Sequence, residues 1–84
     1  MENLQLMSIV EALVMASPEP LPARRIAQVV EDATVARITG TVDALNARYA
    51  ETGSSFRIRE IAGGFQFHIH LLERIEVDRL ARIA

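Results

Sequence analysis

Phe56-Arg57-Ile58-Arg59-Glu60-Ile61, then Ala62-Gly63-Gly64, then Phe65-Gln66-Phe67-His68-Ile69-His70 is the stretch that decides the fold. Apolar and polar residues alternate in both arms, and Gly63-Gly64 supplies the positive φ angles of a two-residue primed turn, so the segment reads as a tight β-hairpin. Pairing Ala62 with Phe65 sets Ile58 opposite Ile69 and Arg59 opposite His68. One face then carries Phe56, Ile58, Phe67 and Ile69, and the other carries Arg57, Arg59, His68 and His70. Ile61 is the large apolar residue left on the polar side.

Three helical patterns precede the hairpin. The first covers Leu4 to Ala16, where good helix formers run without a break until Pro18 and Pro20 end them. The second runs from Pro22 or Ala23 to Glu31, with Ile26, Val29 and Val30 facing inward. Asp32 or Thr34 caps the third, whose Val35, Ile38, Val42, Leu45 and Tyr49 recur at spacings of three and four as far as Glu51. Gly40 inside it is a tolerated glycine. Thr52-Gly53-Ser54-Ser55 is a turn. After the hairpin, Leu71 to Ala84 reads as a short helix, with Glu76 and Arg79 interrupting the stripe of Leu72, Ile75, Leu80 and Ile83. Helix, helix, helix, hairpin is the order of an α+β winged helix, here a three-helix bundle with a two-stranded wing. Residues 1–70 form that domain, and residues 71–84 follow it as a carboxy-terminal helical segment, which a resemblance to a family of two consecutive winged-helix domains, carried by Ile9 to Leu21 and Arg57 to Phe67, would make the start of a linker to the second.

Eighty-four residues bury only ~60–65% of the surface the unfolded chain exposes, so the core is marginal and a partner surface is plausible from the start. The chain is 50% hydrophobic and 24% charged, as ordinary globular domains are. It holds no cysteine, which excludes disulfides and thiolate metal sites and suits a reducing cytoplasm. There is no long apolar run and no signal-like amino terminus, so no membrane role is expected. A net charge of −2 and a pI near 5.6 argue against a protein whose main work is gripping a polyanion.

Helix 1 points to a partner. Leu6, Ile9, Val10 and Leu13 are enough to cover a three-helix core, yet Leu4, Met7 and Val14 flank Glu11 and Met15 lies close by. A domain this small cannot surround a helix. Leu4, Met7, Val14 and Met15 are therefore read as an interface, most simply with a second copy across a two-fold axis. The competing reading folds the carboxy-terminal segment back over the same surface.

Chemistry is poorly served by this chain. His68 and His70 share one side of a strand, but two ligands do not close a metal site and Arg57 and Arg59 would repel a cation. The serines suit turns and helix surfaces, without the base and orienting acid an activated nucleophile needs. No catalytic residue, metal or cofactor is expected. DNA binding is the serious rival, since helix 3 of a winged helix often enters the major groove. Arg37 and Thr41 would then read base edges, and Arg57, Arg59 and His68 would meet the backbone. Against that, Arg37 and Arg48 are offset by Asp43 and Glu51 across helix 3, which leaves direct DNA binding weak or absent.

Ile9 to Leu21 (IVEALVMASPEPL) resembles the opening of the bacterial segregation and condensation protein B (ScpB) family, and Arg57 to Phe67 (RIREIAGGFQF) is similar to that family's wing. Between them, Leu45-Asn46-Ala47-Arg48-Tyr49 echoes the end of the family's third helix. The resemblance covers residues 9 to 67. Pro18 and Pro22 depart from it, as does His68-Ile69-His70-Leu71 after the wing. It implies a cytoplasmic, nucleoid-associated, non-enzymatic subunit of the Smc–kleisin condensin complex that acts in chromosome condensation and partition. Homodimerisation, and association with the kleisin ScpA and through it with Smc, follow from the same resemblance. The alternative is a winged-helix transcription regulator.

Overall fold

The computed structural model describes residues 2–83, and for residues 71 and 72 the backbone alone. The elements run α1 (Asn3–Ala16), α2 (Ala23–Val29), α3 (Val35–Glu51), β1 (Phe56–Ile61), β2 (Gly64–Ile69) and α4 (Leu71–Ile83). The expected helix at the carboxy-terminal end is α4; Ala84 and the Leu72 side chain lie outside the described residues.

Helix boundaries follow local chemistry. Thr34, not Asp32, caps α3, its Oγ1 accepting the Arg37 N–H at 3.1 Å. Asp32 instead takes a left-handed φ of 62° in the turn between α2 and α3. Pro22 stands at the start of α2 and gives it no side-chain cap.

The hairpin is antiparallel, but its register differs by two residues from the expected one. Ile61 pairs with Gly64, Ile58 with Phe67, Arg59 with Gln66 and Phe56 with Ile69. The turn is made by Ala62 (φ 52°) and Gly63 (φ 79°), both left-handed as a type I′ turn requires. Gly64 is reserved for another purpose. Leu21 bridges to Phe65 with a mutual pair of backbone hydrogen bonds of 2.9 and 2.8 Å, and a Cβ on Gly64 would lie 2.6 Å from the Pro20 carbonyl carbon. A shift of two keeps strand parity, so the two faces hold as expected.

The core is formed by Leu6, Val10 and Val14 of α1, Ile26 and Val30 around α2, Ile38, Val42, Leu45 and Tyr49 of α3, and Ile58 and Phe65 of the wing. Two expected core residues point outward: Val29 is 71% exposed and Val35 50%. On α1 the buried row is Leu6, Val10, Val14, while Ile9 and Leu13 are only half-buried. The helix is thus turned by roughly 50° from the orientation that its apolar residues alone suggest, at 100° per residue. Part of the cause is polar: the Tyr49 hydroxyl donates to the Glu11 carboxylate, and Tyr49 also stacks near Phe67, ring centres 6.0 Å apart. Burial and this hydrogen bond push the Tyr49 phenol well above its ordinary value.

Asn46 joins α3 to the wing. Its amide donates to the Ile58 carbonyl and accepts the Ile58 N–H, each at 2.8 Å, so one side chain stands in for a neighbouring strand. α4 makes no extensive packing contact with any other element and contributes to a longest dimension of 47 Å.

Candidate interaction surfaces

The outer stripe of α1 is partly as expected. Leu4 and Met15 are each 65% exposed, and Met7 is half-buried against the core. Val14 is not available: at 2% exposure it is one of the best-buried side chains in the molecule, because the rotation of α1 carries it under α3 and β2. Ile9 and Leu13, assigned to the core by their spacing, contribute half-buried apolar surface on the opposite flank. The fold-back alternative fails too, since α4 does not cover α1.

Met7 and Asn3 form one wall of a groove of about 430 Å³, and Arg37, Gly40, Thr41 and Ala44 of α3 form the other. Nothing lies within 4 Å of where a Gly40 Cβ would be, which agrees with a tolerated glycine. Thr41 is 9% exposed and its hydroxyl donates to the Arg37 carbonyl at 2.8 Å. Arg37 is half-buried at the α1 side. The two residues expected to read base edges therefore sit in a cleft between helices. The exposed face of α3 offers Ala36, Thr39, Gly40, Asp43, Ala44 and Ala47, mostly small residues with few hydrogen-bond donors, and Arg48 and Glu51 follow near its end.

The wing divides its basic residues between different tasks. The Arg57 guanidinium donates through Nη1 to the carbonyls of Ser54 and Phe56 at 2.9 and 2.7 Å, fastening the strand entry. His70 lies beyond the strand; its backbone N–H donates to Ser55 and its ring pairs with Glu73 of α4 at 3.3 Å. Arg59 and His68 do face a common pocket, together with Arg74. Burial, then the Arg59 charge, hold the His68 imidazole below its ordinary value. Sequence reasoning missed Arg74, which only the position of α4 brings to the wing. The interrupted apolar stripe of α4 is left in water, with Ile75, Leu80 and Ile83 55%, 67% and 78% exposed.

Among the described residues, no group of three or more His, Cys, Asp or Glu side chains is placed to hold a metal ion, and no helix is long and apolar enough to cross a membrane. A three-helix bundle with a two-stranded antiparallel wing, whose third helix shows a mostly small-residue face and whose first helix leaves apolar side chains exposed, is a winged-helix domain. The chain belongs to the segregation and condensation complex subunit ScpB family, whose sequence model matches residues 8–81.

It is 29% identical, over 89 aligned residues, to segregation and condensation protein B of Syntrophotalea carbinolica, an alignment covering all of this chain and 45% of that protein. The chain thus spans about half the length of this curated relative. Among solved structures, a conserved hypothetical protein from Chlorobium tepidum superposes with a TM-score of 0.83 at 34% identity, over 93% of this chain and 49% of that one. ScpB from Mycobacterium tuberculosis gives 0.83 at 17% identity, over 96% and 50%. A dimer of the ScpB N-terminal domain complexed with an ScpA peptide gives 0.78 at 22% identity, covering 90% of this chain and 94% of that one. The last two likenesses establish the fold.

Proposed function

We propose that this domain is a non-catalytic, self-associating module of a bacterial Smc–kleisin condensin complex, working in the cytoplasm at the nucleoid. Its dimer would engage ScpA and through ScpA the Smc ATPase. The observation that carries the reading is the outer stripe of α1: Leu4 and Met15, more than half exposed, with Met7 between them and the Gly40 groove alongside. A second copy would bury these side chains, and the small-residue face of α3 would let its backbone come close. The solved ScpB N-terminal domain that aligns over nearly the whole of both chains is itself a dimer bound to an ScpA peptide, which supports the same arrangement here. In this reading residues 1–70 are the association unit, and α4 is a connector leading toward a second winged-helix domain. A transcription regulator is disfavoured by the placement of Thr41 and Arg37 in the interhelical cleft.

The test is light scattering at micromolar concentration on the parent chain and on a Leu4→Glu, Met15→Glu double variant. Both positions are exposed, so helix content should be unchanged by circular dichroism while the dimer is lost. A monomeric parent rules out self-association through this face. In parallel, titration with a fluorescent ScpA peptide should show binding by the dimer that the double variant weakens.

A further inference from the structure

Where β2 hands over to α4, on the outer side of the wing, Arg59, His68, Ile69 and Arg74 line a pocket of about 160 Å³. Three of those four residues are basic, and no carboxylate lines the pocket. The Arg59 guanidinium has no hydrogen-bond or ion-pair partner among the described residues. Arg74 gives Asp78 its Nε–H at 3.1 Å, which occupies one of its five donors. The other charged groups near His68 are accounted for. Arg57, its cross-strand partner, is tied to carbonyls of its own strand entry, and His70 is paired with Glu73. The amino-terminal end of α4 adds positive potential on the same side.

A chain of net charge −2 thus sets one unpaired guanidinium, Arg59, beside Arg74, whose pairing with Asp78 leaves four of its donors unused, at one small concavity. At about 30 Å³ per water, the space is that of roughly five waters, enough for a tetrahedral oxyanion that keeps part of its hydration. Two arginines lining one volume supply the donors that suit such an anion, through planar, charge-assisted hydrogen bonds.

We propose that this pocket is a phosphate-binding site in which Arg59 and Arg74 hold the oxyanion and His68, when protonated, supplies a further donor. Anion and proton then help one another. The bound anion stabilises the imidazolium that burial and Arg59 now disfavour, so occupancy by an anion of fixed charge rises as pH falls through the histidine range. The recognised chemistry is that of a phosphate group, whether on a free phosphorylated compound or in the backbone of a nucleic acid. The site lies on the wing and α4, away from the α1 stripe, and stands independently of self-association.

The experiment follows the ring resonances of His68 and His70 by NMR through a pH titration of the 84-residue chain. The probes are sodium sulfate, a tetrahedral dianion that does not itself titrate in this range, and a short DNA duplex, each against sodium chloride at equal ionic strength. Sulfate should raise the His68 midpoint by about one pH unit, equivalent to an anion affinity about tenfold higher for the protonated ring, and should move His70 much less. Arg59→Gln and Arg74→Gln should each erase most of that movement while leaving the circular dichroism spectrum intact. Movement by sulfate alone assigns the site to small phosphorylated compounds; movement by the duplex as well, lost in the same variants, assigns it to a nucleic-acid backbone. Sulfate that moves His68 no further than chloride does, or that moves His68 and His70 alike in the parent and in Arg59→Gln, overturns the proposal.

Discussion

Gly64→Ala should cost far more than Gly63→Ala, although the two glycines are adjacent and both lie at the tip of the wing. An added Cβ at position 64 would stand 2.6 Å from the Pro20 carbonyl carbon, 2.7 Å from the Leu21 nitrogen and 2.8 Å from the Pro20 oxygen. These are backbone atoms, so no change of rotamer relieves the clash. Restoring ordinary contact at ~3.5 Å or more means moving one chain segment by about 1 Å. That movement strains the two Leu21–Phe65 hydrogen bonds, worth about 1 kcal/mol each, and adds an overpacking cost of about 1–3 kcal/mol. The sum is about 3–5 kcal/mol against a total stability of roughly 4–13 kcal/mol for a chain of this length. At about 4–8 °C per kcal/mol, Tm should fall by more than about 12 °C. Position 63 has φ +79° and nothing within 4 Å of a Cβ, so its variant pays only for a left-handed alanine, about 1–2 kcal/mol. Thermal and urea unfolding, followed by circular dichroism at one fixed protein concentration, measure both, since an associating chain has a concentration-dependent midpoint. Equal losses at the two positions would refute the assignment of Gly64 to the Pro20 contact and favour a turn centred on Gly63-Gly64.

Asn46→Ala should destabilise by about 2–4 kcal/mol in urea melts, because the N–H and carbonyl of buried Ile58 both lose their partner. Asn46→Asp keeps the acceptor but sets a carboxylate against the Ile58 carbonyl, so its stability should recover as pH is lowered through the carboxylate range, where the protonated acid regains a donor; a pH-independent loss would contradict the two-way pairing. Tyr49→Phe should cost about 1 kcal/mol at neutral pH through the lost bond to Glu11. The folded chain holds the Tyr49 proton more tightly than the unfolded chain does, so parental stability is complete below pH ~10 and declines as pH climbs above it, and this alkaline decline should be smaller in Tyr49→Phe.

The elements and their order were legible because periodicity is a local property. Ile38, Val42, Leu45 and Tyr49 repeat at helical spacing and all four are buried, and the strand alternation fixed which wing residues share a face. What could not be read was set by contacts between distant segments. The turn could be placed at Ala62-Gly63 or Gly63-Gly64 on local chemistry alone, and the choice was made by the Pro20-Leu21 backbone, more than forty residues upstream. Val14 looked surplus because four other apolar residues on α1 could have filled the core. The Glu11–Tyr49 hydrogen bond and the packing of α1 on α3 and β2 turned the helix so that Val14 went in and Ile9 and Leu13 stayed at the edge. Arg59 and His68 were visible as residues of the polar wing face, whereas the pocket they line needed Arg74, placed by a helix whose docking carried no sequence signal.

The same rotation bears on which task this scaffold can perform. A winged helix that reads DNA needs donors and acceptors on the open face of its third helix, and phosphate contacts on either side of them. Here the Thr41 hydroxyl is spent on the Arg37 carbonyl, Arg37 lies toward α1, and what remains open is mostly alanine and glycine, with Thr39 and Asp43 among them and Arg48 and Glu51 near the end. A face of that kind has little to offer a base edge but accepts another protein backbone closely, and across the groove from it stands half-buried Met7 of α1, the helix that also carries exposed Leu4. The cations are instead gathered behind the wing, on the side where α4 departs. The proposed association face and the proposed anion pocket share no residue, so a charge-reversing substitution on α1 and a neutralising one at Arg59 should act additively, with neither altering the response to the other.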